Sequence, residues 1–240
     1  ELNSNSSEAL TNLGVALEEM GQIDRAICKF KKAIDIRPYD AEAHWCLAHS
    51  YNLLGNYKDG FAHYEWRFKK KDESTRQPRD GLQWDGETSL LGKTVLVYQE
   101  QGLGDIIQFC RFIPILEKSG VKVLFYLDKK LHLIISTLKT SATLVSELPP
   151  KNTVDFEIAL MSLPYVLKID VQNIPSDAPY LFVEENKMLK WAKRLKKHTF
   201  KIGICWQGSR RKIDVGRSFE LSLFKKIAKL QNVELISLHK

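Results

Sequence analysis

Two stretches of this 240-residue chain combine residue types that can do chemistry. The first is Gln101-Gly102-Leu103-Gly104-Asp105, a glycine-punctuated turn ending on a carboxylate. It follows the apolar, β-branched run Thr94–Tyr98 and precedes apolar residues at Ile106, Ile107, Phe109, Cys110 and Ile113 in a helical pattern. Strand, glycine turn, helix is the layout in which backbone N–H groups at a helix start face a ligand, as in a phosphate-cradling turn. Gly102 and Gly104 are expected to permit positive φ and close backbone approach. Asp105 stands where a capping or first-turn aspartate would stand for structural reasons alone, so capping and chemistry compete for it. The second stretch is the basic loop Gly208–Ser218, behind the apolar run Lys201–Trp206.

The elements that must position these residues alternate between strand and helix. Strands read at Thr94–Tyr98, Val121–Tyr126, Thr143–Val145 and Phe156–Leu160, with helices at Ile106–Lys118, Lys129–Leu138 and Ser162–Leu167. The strands are continuously apolar rather than alternating, which predicts a parallel sheet covered on both faces. Past Pro175–Pro179 come a basic amphipathic helix at Glu185–Lys197, a strand at Lys201–Trp206, a helix at Phe219–Leu230 and a strand at Val233–Leu238. That last set is only the opening of a second α/β unit, so the chain is expected to be a truncated piece.

Upstream, an internal repeat dominates. Leu10, Leu13, Gly14, Leu17, Ala26, Phe30, Ala33 and Pro38 fall at the offsets of a tetratricopeptide repeat, and a shift of roughly 34 residues yields His44, Leu47, Ala48, Tyr51, Gly60, Tyr64 and Arg67. Small residues at Gly14/Ala48 and Ala26/Gly60 let the helices of each pair approach, while Leu17/Tyr51 and Phe30/Tyr64 are expected to fill the space between pairs. The second repeat departs near its end, with Gly60 and Arg67 in place of alanines, as suits a terminal repeat packed on something else. Two repeats alone are marginal, so further repeats before Glu1 or support from the next domain are expected. The resulting organisation is α plus α/β: repeats over 1–72 (about 7–40 and 41–74), a linker at 73–93 anchored by Trp84, a Rossmann-like domain over 94–183, and a connecting helix with the start of a further domain over 184–240.

Composition bounds the rest. Apolar residues make up 44% and charged residues 27%, ordinary for a globular protein. No apolar run approaches the roughly 20 residues of a membrane-spanning helix. The polar opening Glu1–Asn5 has no signal-sequence pattern and is expected to be a boundary beyond which the native N-terminus, with any targeting signal, lies. The four cysteines (Cys28, Cys46, Cys110, Cys205) are scattered, with neither CxxC nor metal-ligand spacing, and read as buried free thiols of a reducing, cytoplasmic compartment. The net charge of +7 is concentrated in Arg67–Lys71, Lys187–Lys201 and Arg210–Arg217 and suits an anionic ligand. The basic segments lack the interleaved aromatics of a base-stacking platform, which argues against nucleic acid.

The order of these motifs resembles a known arrangement. Repeats followed by Trp84, Gly86, Leu91-Gly92-Lys93, the strand, Glu100–Asp105 with Gln108, Phe109, Arg111 and Pro114, and later Leu160–Pro164, are similar to bacterial tetratricopeptide-repeat proteins fused to a family-9-like glycosyltransferase domain, whose wider family includes the heptosyltransferases. The resemblance implies a GT-B fold, two Rossmann-like domains across a cleft, with the acceptor side at about Leu82–Val183 and the nucleotide-sugar side from near Lys201. It implies that Asp105 is the base that deprotonates the acceptor hydroxyl, with Gly102, Leu103, Gly104 and Gln108 lining the substrate site. It further implies that Ser209, Lys212, Arg217 and Ser218 bind the donor's phosphates, although arginine stands where lysine is usual. No Asp-x-Asp pair for a metal–diphosphate bridge occurs in the chain, so a metal-independent reaction without a cofactor beyond the nucleotide-sugar substrate is expected. The repeats would bind a protein partner or position a protein or glycan acceptor, with activity confined to the full-length protein. The alternative is a scaffold protein with a degenerate transferase domain.

Overall fold

A computed structural model describes residues 6–70, 81–195, 199–208 and 218–239. The chain divides into two compact units, Glu1–Phe182 and Val183–Lys240. The first unit opens on two helical hairpins, α1 (Ser7–Glu19) with α2 (Ile23–Ile36) and α3 (Ala41–Leu53) with α4 (Tyr57–Tyr64). Ser6, Asp40 and Asn56 cap α1, α3 and α4, each accepting a hydrogen bond from a first-turn N–H. Leu17, Ala26, Ile27, Phe30, Cys46 and Leu47 form the buried heart of this array. Phe30 belongs to that buried cluster, which draws on both hairpins. Its ring lies against Gly14 inside the first hairpin, where a Cβ on residue 14 would collide with it. The aromatic ring needs a partner helix surface with no side chain, and only glycine supplies that.

After α4 the chain tightens into a 3-10 turn, Glu65–Lys69. Phe61 of α4 leaves the repeat core and meets Phe109 edge-on, ring centroids 6.3 Å apart. The last helix of the second repeat thus packs into the core of the sheet domain, which is where the divergence of that repeat pointed.

The sheet consists of β1 (Thr94–Tyr98), β2 (Lys122–Tyr126), β3 (Thr143–Val145) and β4 (Phe156–Ala159), all parallel, in the order β3-β2-β1-β4. The junction adds one more rung: Gln83 bridges Glu157 in parallel, and Trp84 packs on the sheet core. Gly86 takes φ +83° beside Val166, a conformation that L side chains rarely adopt. Helices α5 (Leu103–Phe109), α6 (Ile113–Glu117), α7 (Lys129–Ile135) and α8 (Leu163–Val166) complete this unit. The single helix expected over Ile106–Lys118 is instead α5, a 3-10 turn at Cys110–Phe112 and α6. Pro114 has no N–H to bond the Cys110 carbonyl, so the ladder loosens there.

The second unit holds α9 (Glu185–Ala192), β5 (Phe200–Ile204), α10 (Lys225–Ala228) and β6 (Val233–Ser237), with β5 and β6 parallel. The helix expected over Phe219–Leu230 is a 3-10 turn at Leu221–Phe224 followed by the short α10. The amphipathic pattern of α9 buries nothing: Met188, Leu189 and Trp191 are each more than half exposed. Among the described residues of this unit only Ile204 is buried among the hydrophobics.

Not every cysteine is buried. Cys46 and Cys110 are, and burial pushes both thiols up to about 12, whereas Cys28 and Cys205 are exposed; all four are free. No helix among the described residues is long and apolar enough to cross a membrane.

The repeat array also contains a histidine pair absent from the expectations. His44 Nδ1 lies 2.7 Å from His63 Nδ1, His44 Nε2 lies 3.0 Å from the Pro38 carbonyl, and the His44 ring stacks on Trp66 at 3.7 Å. With Pro38 accepting from Nε2–H, a neutral His44 accepts at Nδ1 and His63 donates. Burial, then the neighbouring His44, lowers His63 to about 4, and burial lowers His44 as well.

This packing can be tested at both ends. Gly14→Ala should destabilise the protein by about 1–3 kcal/mol through overpacking against Phe30, read by chemical denaturation, with Phe30→Leu in the same chain recovering part of the loss. A histidine whose folded pKa lies below its unfolded value of about 6.5 contributes stability that is present above that value and is lost as pH falls towards the folded one. The melting temperature should therefore drop between about pH 7 and pH 5.5, and His63→Gln should flatten that slope. An identical slope in the variant would refute the assignment.

Candidate functional site at the carboxyl end of the first strand

The strand order makes β1 the centre of the sheet. The chain runs outward from β1 through β2 to β3, then returns to the opposite side of β1 for β4. The carboxyl end of β1 is therefore the topological switch point, where open parallel sheets leave a crevice for ligands. The turn Gln101–Asp105 occupies that position.

Its geometry begins one residue earlier, at Glu100. The Glu100 side chain is fully buried, and so is that of Arg67 from the 3-10 turn after α4. Arg67 Nε donates to Glu100 Oε2 at 2.8 Å and one terminal nitrogen to Oε1 at 2.7 Å, a bidentate pair. That terminal nitrogen also donates to Ser162 Oγ at 2.7 Å. The other donates to Glu65 Oε1 at 2.6 Å and to the Tyr64 carbonyl at 3.2 Å. All five guanidinium N–H donors are thereby used. Ser162 Oγ in turn donates to Glu65 Oε2 at 2.8 Å, and the Met161 N–H donates to Glu100 Oε1 at 3.3 Å. The rings of Phe68 and Tyr64 lie beside the guanidinium at 3.9 and 4.7 Å.

Desolvation works against the charge on Arg67, but the hydrogen bonds and charges of Glu100 and Glu65 outweigh it and raise its pKa further. Burial raises the Glu100 carboxyl above the usual range, and Arg67 pulls it back. Arg67 thus drops out of the surface cation cluster in which its sequence neighbours placed it. The two separate motifs Glu100–Asp105 and Leu160–Pro164 meet around this one guanidinium. Sequence reasoning assigned Arg67 no site role. The signals were a cation at a repeat position normally filled by alanine and a carboxylate directly after a buried strand.

Within the turn, Gly102 is the residue before α5, with φ −68° and ψ 169°, and its N–H donates to Asp105 Oδ2 at 3.0 Å. Asp105 therefore closes the start of its own helix. Neither glycine needs positive φ, contrary to expectation, because the turn is an ordinary extended-to-helical entry. A Cβ at Gly104 would meet nothing within 4 Å, and one at Gly102 would meet only Asp105 Oδ2, at 3.4 Å. Gly102, Leu103, Gly104 and Gln108 are exposed and Asp105 is half-buried. Near the turn in sequence, the Gln99 side chain accepts from the Asp128 N–H at 2.7 Å, and Arg111 donates to the Gln108 and Pro175 carbonyls and stacks on Tyr180.

Of the candidate phosphate-binding residues, Ser209, Lys212 and Arg217 lie outside the described residues. Ser218 accepts a hydrogen bond from the Gly208 N–H at 2.9 Å. The adjoining loop is tied by His239, which was not anticipated. Its Nε2 accepts from the Trp206 and Gln207 N–H groups, both at 3.1 Å, and its ring meets Trp206 edge-on at 4.3 Å. Trp206, Gln207, Ser218 and Phe219 line an open depression of about 550 Å³ in the second unit.

Fold and site together define a helical repeat array built onto a parallel α/β sheet with an exposed glycine turn at its switch point. Residues 19–55 match the family of the TPR repeat, from the end of α1 through α3, and the N-terminal helices are tetratricopeptide repeats. Protein FlbA of Caulobacter vibrioides (strain ATCC 19089 / CIP 103742 / CB 15) is 30% identical over 112 residues, covering 45% of this chain and 19% of FlbA. The chain thus spans about a fifth of that curated relative's length. Among solved structures, a point mutant of MamA is 31% identical over 28% of this chain and 49% of its own, with a TM-score of 0.27. MamA MSR-1 C2 has the same identity, coverage of this chain and TM-score, over 38% of its own length.

Removing Arg67 should test the frame. Arg67→Met leaves Glu100 buried without its cation and should cost about 3–5 kcal/mol in chemical denaturation, whereas Arg67→Met with Glu100→Leu should recover much of it. Equal stability of the single variant and the parent would exclude this pair as the organising contact.

Proposed function

We propose that the chain is part of a GT-B glycosyltransferase that moves a sugar from a nucleotide-sugar donor to a protein or glycan acceptor in the cytoplasm. The tetratricopeptide repeats give the N-terminal helices a protein-interaction role. Residues 1–72 recruit the partner or acceptor, 94–183 form the acceptor-side domain, and 184–240 begin the nucleotide-sugar side. The observation that carries this reading is the exposed turn Gly102–Asp105 at the switch point, with bare space above Gly104 and a carboxylate at its end. A ligand can approach the backbone there as closely as the glycines allow.

In this reading the Asp105 carboxylate takes the proton of the acceptor hydroxyl as its oxygen attacks the anomeric carbon and the nucleoside diphosphate departs. Gly102, Leu103, Gly104 and Gln108 form the surface under the acceptor. Charge developing on the leaving diphosphate falls to Ser209, Lys212, Arg217 and Ser218, whose hydroxyls and cations are the right types for it. The basic loop takes the electrostatic role that a metal–diphosphate bridge has in other transferases.

One observation favours a second reading, a scaffold whose sheet domain binds without catalysis: Asp105 Oδ2 already accepts from the Gly102 N–H. Asp105→Asn separates the two, because asparagine keeps an acceptor for that N–H but is no base. In the intact protein, nucleotide sugars screened by thermal shift should identify a donor that raises the melting temperature. Asp105→Asn should retain that shift and the fold while transfer falls at least about 100-fold. Undiminished transfer would sink the base assignment. Donor binding without turnover in the parent protein would favour the scaffold.

A further inference from the structure

A second cavity lies on the helix layer of the first unit, among residues distinct from the switch-point turn. It measures about 520 Å³ and runs between α6, the loop after α7 and the strap 173–182. Pro114, Ile115, Leu138 and Phe182 give it apolar walls, while Arg111, Lys118 and Lys139 place cations on it against the single carboxylate of Asp177.

The walls are stapled in place. Glu117 accepts from Thr140 Oγ1 at 2.7 Å, from Ser141 Oγ at 2.6 Å and from the Ser141 N–H at 3.0 Å, fixing the loop after α7 to α6. Tyr180 donates its hydroxyl to the Ile107 carbonyl at 2.9 Å, and Arg111 holds the Pro175 carbonyl at 3.2 Å, fixing the strap to α5 and the following turn. The Phe182 N–H donates to Thr137 Oγ1 at 2.9 Å, fixing the strap to the end of α7. A groove held from three sides does not have to be ordered by its ligand, and its volume falls within the range of small-molecule sites.

The charge is left over after this stapling. Glu117, the carboxylate next to Lys118 in sequence, is committed to the loop at 140–141. Among the described residues neither Lys118 nor Lys139 forms an ion pair, and both are exposed. Arg111 is spent on two carbonyls and the Tyr180 ring. Asp177 offsets one charge of the three cations, so a headgroup carrying one or two negative charges is what the lining complements. We propose that this groove binds a small organic anion, a phosphate or carboxylate on an apolar body, with the body against Ile115 and Leu138 and the headgroup at Lys118 and Lys139.

The test uses octyl phosphate as the probe in isothermal titration with the intact protein, and octanol and inorganic phosphate as its two halves. Octyl phosphate should bind at least about tenfold more tightly than either half. Lys118→Ala with Lys139→Ala should weaken octyl phosphate about tenfold, more so at low ionic strength, and leave octanol unchanged. Both lysines are exposed, so the variant keeps its fold. Equal binding of octanol and octyl phosphate, or octyl phosphate binding unaffected by the double variant, would overturn the proposal by assigning the probe to exposed apolar surface. Binding to phosphatidylglycerol vesicles without binding of monomeric octyl phosphate would overturn it in favour of a membrane surface.

Discussion

The first unit depends on taking a guanidinium and a carboxylate out of water together. Burying either ion alone costs several kcal/mol, and their attraction repays this only when geometry is good and every remaining donor is satisfied. Arg67 meets that condition, with all five N–H donors placed on Glu100, Glu65, Ser162 and the Tyr64 carbonyl. Those partners come from the end of the repeat array, the end of β1 and the turn after β4. A buried pair of this kind adds little net stability over an apolar replacement, but it tolerates few alternative arrangements, because any other leaves a charge unpaired. It fixes how the last repeat meets the sheet, alongside the apolar contact of Phe61 with Phe109.

That constraint reaches the candidate site through one peptide unit. Glu100 is anchored from below, Gln99 is tied to the Asp128 N–H, and Asp105 closes the first turn of α5, so the intervening glycines are held at both ends without strained dihedrals. The repeat array is therefore part of the support of the switch-point turn.

The second unit contrasts with this. Phe200, Leu223 and Leu238 are mostly exposed, and His239 holds the Trp206–Gln207 backbone. A two-stranded sheet with short helices cannot cover its own apolar surface. The loop proposed for donor phosphates begins from this lightly packed frame.

The sequence by itself determined the parts of the fold that rest on local pattern. The repeat offsets located the two hairpins, and continuous apolarity marked β1, β2, β3 and β4 to within a residue or so as parallel strands. Both signals are short-range periodicities, which one chain segment carries alone. What only the tertiary structure decided depends on partners distant in sequence. Arg67 looked like surface charge until Glu100, 33 residues away, and Ser162, 95 residues away, removed it from solvent. The amphipathic pattern of α9 likewise did not reveal that Met188, Leu189 and Trp191 stay more than half exposed. Whether a charge is solvated or paired, and which surface an apolar face meets, is set by desolvation and packing among elements brought together in space, and periodicity records neither.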